Sequence, residues 1–513
     1  MSTRSALPEA GPGPGAAANS RRWLILACIC VAYVMIILDL TVVNLALPSA
    51  QHALRFTNAD RQWIVTAYAL SFGSLLLFCG RLADLTGRKV TFLTGLAGFA
   101  IASAVGGASV NFTMLVTARA CQGVFAALLA PSAMSLLATT FTDANQKQRA
   151  KAFGIFAAAA GTGGGLGLLI GGALTTYLSW RWCLYVNLVF AGCAFTAGAL
   201  LLGKQPKTPG ARLDIPGVLA VSGGMLCLVY GFSNAETHSW HTPSTWAVLA
   251  AGAALLIVFA AWQSRAADPL LPYRVVLDRN RGGSYLTMIV VGAGTFSVFL
   301  FLIYYLQLTM GSSAIKSGFA LLPMIGVTVI TASVGQTTLM PRFGPKPLVA
   351  FGLLASAASM AWLTGISPHS GYASTVLGPI MLIGAGIGLV YAGGFNTGTS
   401  GVAPRDAGVA AASVTASQQL GGAIGIALLN TIAGGATVSY VASHLHGRPA
   451  ANLTQLALVH GYTTVFWWCA GIFAGGAVVC GALLRRGPLA QPEDAPAPGP
   501  APEPSRQAAT TPS

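Results

Sequence analysis

Apolar stretches alternate along this chain with short polar gaps, and fourteen of them are long enough to matter. They begin near Trp23, Arg61, Val90, Phe112, Ala150, Trp182, Ile215, Thr245, Ser284, Ser317, Pro347, Ala373, Gly408 and Gly461. Most exceed the ~20 residues that carry a helix across ~30 Å of hydrocarbon. The pattern therefore predicts an all-α polytopic membrane protein with fourteen transmembrane helices. Charge sharpens the prediction. Of 28 Lys and Arg, 22 fall in alternate gaps together with the N-terminal segment, five lie in the remaining gaps, and Arg119 alone sits inside a span. Such a bias is the positive-inside pattern of a chain with both termini in the cytoplasm. A missing or extra span would scramble it.

Composition excludes the main alternatives. With 54% hydrophobic and 8% charged residues and mean hydropathy +0.68, a soluble globule of this length is ruled out. The net charge of +15 suits loops facing anionic head groups better than nucleic acid. The first span follows Arg21 and Arg22 and is too long for a signal h-region, so it is expected to stay as an anchor. All nine cysteines fall inside spans, so neither a disulfide framework nor a zinc ribbon is expected. The seven histidines (His52, His238, His241, His369, His444, His446 and His460) map to outer loops or their edges. No span pairs His with a carboxylate, and no Walker motif is present. No enzyme, metal or cofactor is expected, and the proton motive force is the expected energy source.

Two segments repeat. Gly80–Lys89 reads GRLADLTGRK and Met340–Pro347 reads MPRFGPKP; setting Gly87 on Gly344 gives an offset of 257, which also sets Gly164 and Gly165 on Gly421 and Gly422. That spacing predicts two parallel six-helix repeats with two linker helices between them, a recurrent transporter plan. The expected divisions are a disordered tail over 1–20, a six-helix bundle over 21–203, two linker spans and a cytoplasmic loop over 204–281, a second bundle over 282–486 and a disordered tail over 487–513.

On these residues the chain resembles the major facilitator superfamily, and within it the fourteen-span drug:proton antiporters. Six segments carry the resemblance in order: LDLTVVNLALP from Leu38, GRLADLTGRK from Gly80, RACQGVFA from Arg119, GTGGGLGLLIGG from Gly161, YLQLTMGSSAIKSGFALLP from Tyr305 and AGVAAASVTASQQLGGAIGIAL from Ala407. Leu168 and Val189 depart from it, standing where the family usually has Pro. The resemblance implies that Gly80, Asp84, Gly87, Arg88 and Lys89 form a conformational latch between the halves, with Pro341 in the acid's place in the second half. Positive-inside anchoring accounts for Arg88 and Lys89 but not for Asp84.

Asp39 is the one carboxylate well inside a span, at a cost of ~2.5–3.5 kcal/mol on insertion scales. Counting at ~1.5 Å per residue from the outer span ends sets Asp39 and Arg119 at the same depth, about 10–12 Å below the surface. Beside Arg119 the carboxylate is expected to stay ionised; parted from it or dehydrated, it is expected to take a proton. The pair is expected to couple protons to movement rather than only to join two helices. The glycines Gly161, Gly163, Gly164, Gly165, Gly167, Gly171 and Gly172, echoed by Gly421, Gly422 and Gly425, allow close backbone approach and suggest a gating contact between halves. Intramembrane polar residues face the interior, so Asn44, Tyr68, Gln122, Tyr305, Gln307, Asn396, Gln418 and Gln419 are candidates for a substrate cavity, with Trp63, Phe296 and Phe299 as possible stacking surfaces.

The expected function is proton-coupled efflux of amphiphilic small molecules by alternating access, in a monomer of a bacterial cell membrane contacting lipid and no nucleic acid. With no intramembrane acid in the second half, neutral, weakly charged or anionic substrates are expected over dications, a host-made antibiotic being one candidate. An uptake symporter on the same fold is the first alternative; a membrane enzyme or receptor is more remote.

Overall fold

The structure is a computed structural model that describes residues 14–56, 58–141, 146–203, 213–238, 242–266, 269–403, 406–444, 450–485 and 487. Its long helices are α1 (Pro14–Leu54), α2 (Asn58–Thr86), α3 (Arg88–Gly107), α4 (Phe112–Thr140), α5 (Gln146–Tyr177), α6 (Trp182–Leu201), α7 (Ile215–His238) and α8 (Pro243–Gln263). They continue with α9 (Arg279–Tyr304), α10 (Ala314–Val334), α11 (Pro345–Leu363), α12 (Leu377–Thr399), α13 (Ala407–His444) and α14 (Ala450–Leu483). Thirteen of them, all but α5, contain a stretch long and apolar enough to cross a membrane among the described residues. α5 spans 32 residues and coincides with the span expected near Ala150. In hydrocarbon a helix satisfies every backbone group internally, which is why these apolar runs take this form.

Capping and glycine set where helices stop. Asn111 accepts from Met114 N at 2.8 Å to start α4, and Asp278 accepts from Asn280 N and Arg281 N to start α9. Gly87 (φ 99°) separates α2 from α3, and Gly344 (φ 75°) precedes α11. Both occupy the left-handed region that disfavours a side chain, at the two positions paired by the sequence offset.

The same helix pairs pack in both halves. α1 packs on α5 and α6, α2 on α4, and α3 on α4 and α6; α9 packs on α13 and α14, α10 on α12, and α11 on α12 and α14. Across the halves α5 meets α10 and α2 meets α13, each contact being the other's image under exchange of the repeats. The hairpin α7–α8 lies outside this frame, with α7 against α2 and α13. Asp214 ties the hairpin together by accepting from Gly217 N (2.9 Å), Trp262 Nε1 (2.8 Å) and Gln263 Nε2 (2.8 Å).

Some boundaries differ from expectation. α1 begins at Pro14, inside the segment expected to be a tail; residues 1–13 and 488–513 lie outside the described residues. α14 begins at Ala450, eleven residues before the expected Gly461, because a helix does not stop where its apolar stretch does. α5 is continuous through Leu168, as a residue with a free N–H allows. Val189 is 66% exposed on the outer wall of the bundle.

Candidate functional site

The N-terminal half encloses a polar network. The N-cap at Asn111 fixes the phase of α4, and the three-residue spacing puts Arg119 and Gln122 on one face, toward α1. Arg119 Nη1 donates to Asp39 Oδ2 at 2.5 Å and to Gln122 Oε1 at 2.9 Å. Gln122 Nε2 donates to Asp39 Oδ1 (3.2 Å) and to Ser103 Oγ (2.7 Å). Asn187 Nδ2 on α6 donates to Asp39 Oδ1 at 2.7 Å. The Arg119 guanidinium lies 4.4 Å from the centre of the Tyr68 ring, and its Nε donates to Ile64 O. Asp39, Gln122, Asn187, Ser103 and Tyr68 are all 0% exposed and Arg119 1%. The charges are thus paired and hydrogen-bonded, the condition under which burial is tolerated. Removing either partner alone leaves a buried charge, at about 3–5 kcal/mol.

The sequence brought Asp39 and Arg119 together and pointed to Gln122 and Tyr68, but the latter two serve this enclosed network rather than an open cavity. It missed Asn187 and Ser103. The one available signal for Asn187 was an amide inside the apolar run of α6, which must find a partner in hydrocarbon.

A second site joins the halves on the side bearing most of the Lys and Arg. Both Asp84 oxygens accept from Gly408 N, at 3.2 and 3.1 Å, so the carboxylate of α2 caps the first turn of α13, where the helix dipole favours a negative group. Arg88 Nη2 holds the same carboxylate at 3.3 Å. The backbones touch here: a Cβ on Gly80 would lie 2.9 Å from Gly408 O and collide with Ala412 Cβ, and one on Gly408 would lie 2.5 Å from Gly80 O. Lys89 turns elsewhere, donating to Ala199 O (2.9 Å) and Leu202 O (2.5 Å) at the end of α6. Sequence reasoning missed Asp406, buried beside this seam and paired with Arg274 at 2.9 Å.

The glycines divide into two faces. Gly163, Gly167 and Gly171 face α1, where an added Cβ would meet Ile37, Leu38 and Thr41, and Val42. Gly165 and Gly172 face Ile325 and Ile315 of α10, and Gly164 faces Phe299 of α9. Only the second group touches the opposite half. Gly421, Gly422 and Gly425 face Ile289, Phe296 and Ala293 of α9, within their own half. The expectation of one gating row is corrected accordingly: a row four residues apart glues α5 to α1, and its offset neighbours meet the other half. The surroundings of Gly161 and Asn44 lie outside the described residues.

Among the other candidates, Gln418 Nε2 donates to Tyr391 Oη at 3.0 Å. Tyr391 packs on Phe395 (5.2 Å between ring centres), Phe395 on Phe156 of α5 (6.1 Å) and Phe156 on Tyr33 of α1 (4.6 Å). These rings bridge the halves, and sequence reasoning singled out none of them. Tyr305 spends its hydroxyl on Ser367 O at 2.8 Å, and Asn396 Oδ1 accepts from Ser400 Oγ in its own last turn at 3.2 Å. Gln307 Nε2 is buried without a partner among the described residues, and Gln419 is partly buried. Trp63 packs on Tyr230 of α7 at 6.2 Å. His444 and His460 flank Tyr440; His241 and His446 lie outside the described residues. Among the described residues no three His, Cys, Asp or Glu side chains gather as metal ligands.

Two like-packed helical halves meeting along paired seams define a two-repeat membrane transporter. The chain belongs to the Major Facilitator Superfamily, whose family profile matches residues 29–426. It is 45% identical over 478 residues to the puromycin resistance protein of Streptomyces alboniger, covering 92% of each chain. It is 37% identical to the cephamycin export protein of Amycolatopsis lactamdurans, covering 81% of this chain and 85% of the relative. Against the tetracenomycin C resistance and export protein of Streptomyces glaucescens identity is 32%, over 82% and 77%. Among solved structures, a proton:xylose symporter superposes with TM-score 0.61 at 14% identity, over 91% of this chain and 97% of that one. The human organic anion transporter does so with TM-score 0.60 at 15%, over 90% and 99%; at such identities the likeness speaks for the fold.

Proposed function

We propose that this protein exports antibiotic-like amphiphilic molecules from a bacterial cell in exchange for protons, by alternating access. One observation carries the proton coupling: the carboxylate of Asp39, 0% exposed inside a span, accepts from Arg119, Gln122 and Asn187. Loss of the Arg119 contact would leave that charge uncompensated in hydrocarbon and favour uptake of a proton. The export direction and substrate class draw support from the relatives named for puromycin, cephamycin, tetracenomycin C and lincomycin. The protein works as a multi-pass plasma-membrane transporter without cofactor or catalytic step. One charge moved through 100 mV supplies ~2.3 kcal/mol, enough for a substrate gradient above tenfold. The Asp84–Gly408 seam acts as the latch of the cytoplasmic side. The bridging rings Tyr33, Phe156, Tyr391 and Phe395 hold the halves together beside that latch and part when the cytoplasmic side opens.

The test is substrate-evoked proton release from inverted vesicles, using those four antibiotics as probes. Release evoked by at least one of them in wild type and lost in Asp39→Asn is expected. Release that survives Asp39→Asn removes Asp39 from the coupling path. Proton movement in the sense of co-transport would replace export by uptake.

A further inference from the structure

Asp39 is surrounded by donors. Its Oδ2 accepts from Arg119 Nη1, and its Oδ1 accepts from Asn187 Nδ2 and Gln122 Nε2. An anion wants this arrangement, because a carboxylate only accepts. A protonated Asp39 does not: its O–H needs an acceptor, and each hydrogen-bonding neighbour presents a donor. A buried O–H left without a partner is costly, so protonation requires one neighbour to turn round. Gln122 is held at both ends, its Oε1 by Arg119 (2.9 Å) and its Nε2 by Ser103 (2.7 Å) as well as Asp39. Asn187 is not. Its Oδ1 is buried and has no partner among the described residues, while its Nδ2 already lies on Asp39. A half-turn about its Cβ–Cγ bond exchanges donor for acceptor without changing the volume filled.

We infer that Asn187 is an amide switch: it donates to the Asp39 carboxylate and, turned over, accepts from the Asp39 carboxylic acid. This rests on the reading of Asp39 as the proton carrier and makes Asn187 its positioning residue. The arriving proton bonds to Asp39 Oδ1, the new O–H donates to Asn187 Oδ1, and Arg119 keeps Asp39 Oδ2 and Gln122 Oε1 as acceptors. The Asn187 Nδ2 hydrogen bond to Asp39 Oδ1 is given up in exchange, and no other covalent bond of the protein forms or breaks. The remaining groups facing this site do not offer the same exchange. Tyr68 of α2 lies against the guanidinium; its hydroxyl is also buried without a partner among the described residues, but it stands outside hydrogen-bond reach of Asp39, whereas Asn187 is already bonded to it. Cys183, one turn before Asn187, is engaged with Thr175 Oγ1 at 3.2 Å. α3 contributes Ser103, and α5 meets this part of α1 through Gly163, Gly167 and Gly171 together with apolar side chains such as Ile170 and Leu174.

The test is the infrared difference spectrum of the purified full-length protein between high and low pH. The carbonyl band of protonated Asp39 is the one lost in Asp39→Asn. In Asn187→Leu that band moves to higher wavenumber, where a carboxyl O–H without an acceptor absorbs. In Asn187→Thr, which keeps a donor and an acceptor, it stays near its wild-type position. Substrate-evoked proton release falls by about tenfold or more in Asn187→Leu and stays within about threefold in Asn187→Thr, the size expected for one unmet buried donor. If Asn187→Leu does not fold, Asn187→Ala reads the same band. An unmoved band in the folded Leu or Ala variant overturns the switch while leaving Asp39 as proton carrier. A wild-type spectrum unchanged by Asp39→Asn overturns both.

Discussion

The two halves solve one packing problem with different chemistry. Gly163 and Gly167 meet Ile37 and Thr41 of α1, while Gly421 and Gly425 meet Ile289 and Ala293 of α9. Setting these contacts on one another pairs Gly421 with Gly163, one residue from the Gly164 expected from the sequence offset, and puts Asp39 on Val291, which is 0% exposed. Likewise Gly123 of α4 rests on Tyr68 O and Phe72 N, and Gly388 of α12 on Thr328 O and Ala332 N. That match puts Arg119 on Gly384 and Gln122 on Ile387. Where the first half holds an ion pair with its amide partner, the second holds a valine, a glycine and an isoleucine. The second half keeps the same backbone frame without such charges, as expected if Asp39 and Arg119 serve the proposed proton coupling rather than the packing.

The sharpest way to break this comparison is to write the second half's chemistry into the first. Asp39→Val alone strands Arg119 and is expected to cost about 3–5 kcal/mol, read as a fall in thermal unfolding temperature. The double variant Asp39→Val/Arg119→Leu is expected to recover most of that loss, because apolar replacement of a buried pair is often close to neutral. Neither variant is expected to couple protons. A double variant as unstable as the single one would show that the pair is structural.

Next in size is the seam between halves. Gly80→Ala places a methyl group against Ala412 and Gly408 O, and overpacking of this kind costs about 1–3 kcal/mol. Because the contact joins the halves, the expected readout is greater labelling of cysteines introduced on the cytoplasmic side of the substrate path. Gly434→Ala, where a Cβ meets nothing within 4 Å, is the matched control and is expected to leave labelling unchanged.

Inside each half, Gly163→Ala and Gly421→Ala are expected to cost a similar 1–3 kcal/mol, measured as unfolding temperature, without favouring either open state. Unequal losses would mean that the two repeats are not packed alike. The smallest effect is expected for Asp84→Asn, which keeps an acceptor oxygen for Gly408 N and Arg88 Nη2 but loses the charge at the start of α13 and the ion pair with Arg88. That is worth about 0.3–1 kcal/mol and should appear as a modest rise in cytoplasmic-side labelling.

Much of this was written where the chain's chemistry is sparse. Apolar runs and basic gaps gave the helices, and Gly87 and Gly344 marked the repeat because both backbones sit at positive φ. Asp39 and Arg119 stood out because a charge in hydrocarbon needs a reason. What stayed hidden has no period or charge to betray it. Asn187 and Ser103 are polar residues set in apolar surroundings of their helices, and Tyr33, Phe156, Tyr391 and Phe395 look like any lipid-facing aromatic until the halves are brought together. The α5 glycines are so dense that the sequence shows no phase, and only the neighbours separate Gly163, Gly167 and Gly171 from Gly164, Gly165 and Gly172. Tyr305 and Asn396 were named for their polarity, yet the Tyr305 hydroxyl goes to the backbone of Ser367 and Asn396 Oδ1 to Ser400 in its own last turn.

The most direct test of the central claim is the proton stoichiometry of substrate binding, measured with a pH indicator on purified protein in weakly buffered detergent. The account predicts that adding a transported compound at a pH where Asp39 is protonated releases a proton, and that Asp39→Asn binds the compound but releases none. Equal release by wild type and Asp39→Asn would contradict it.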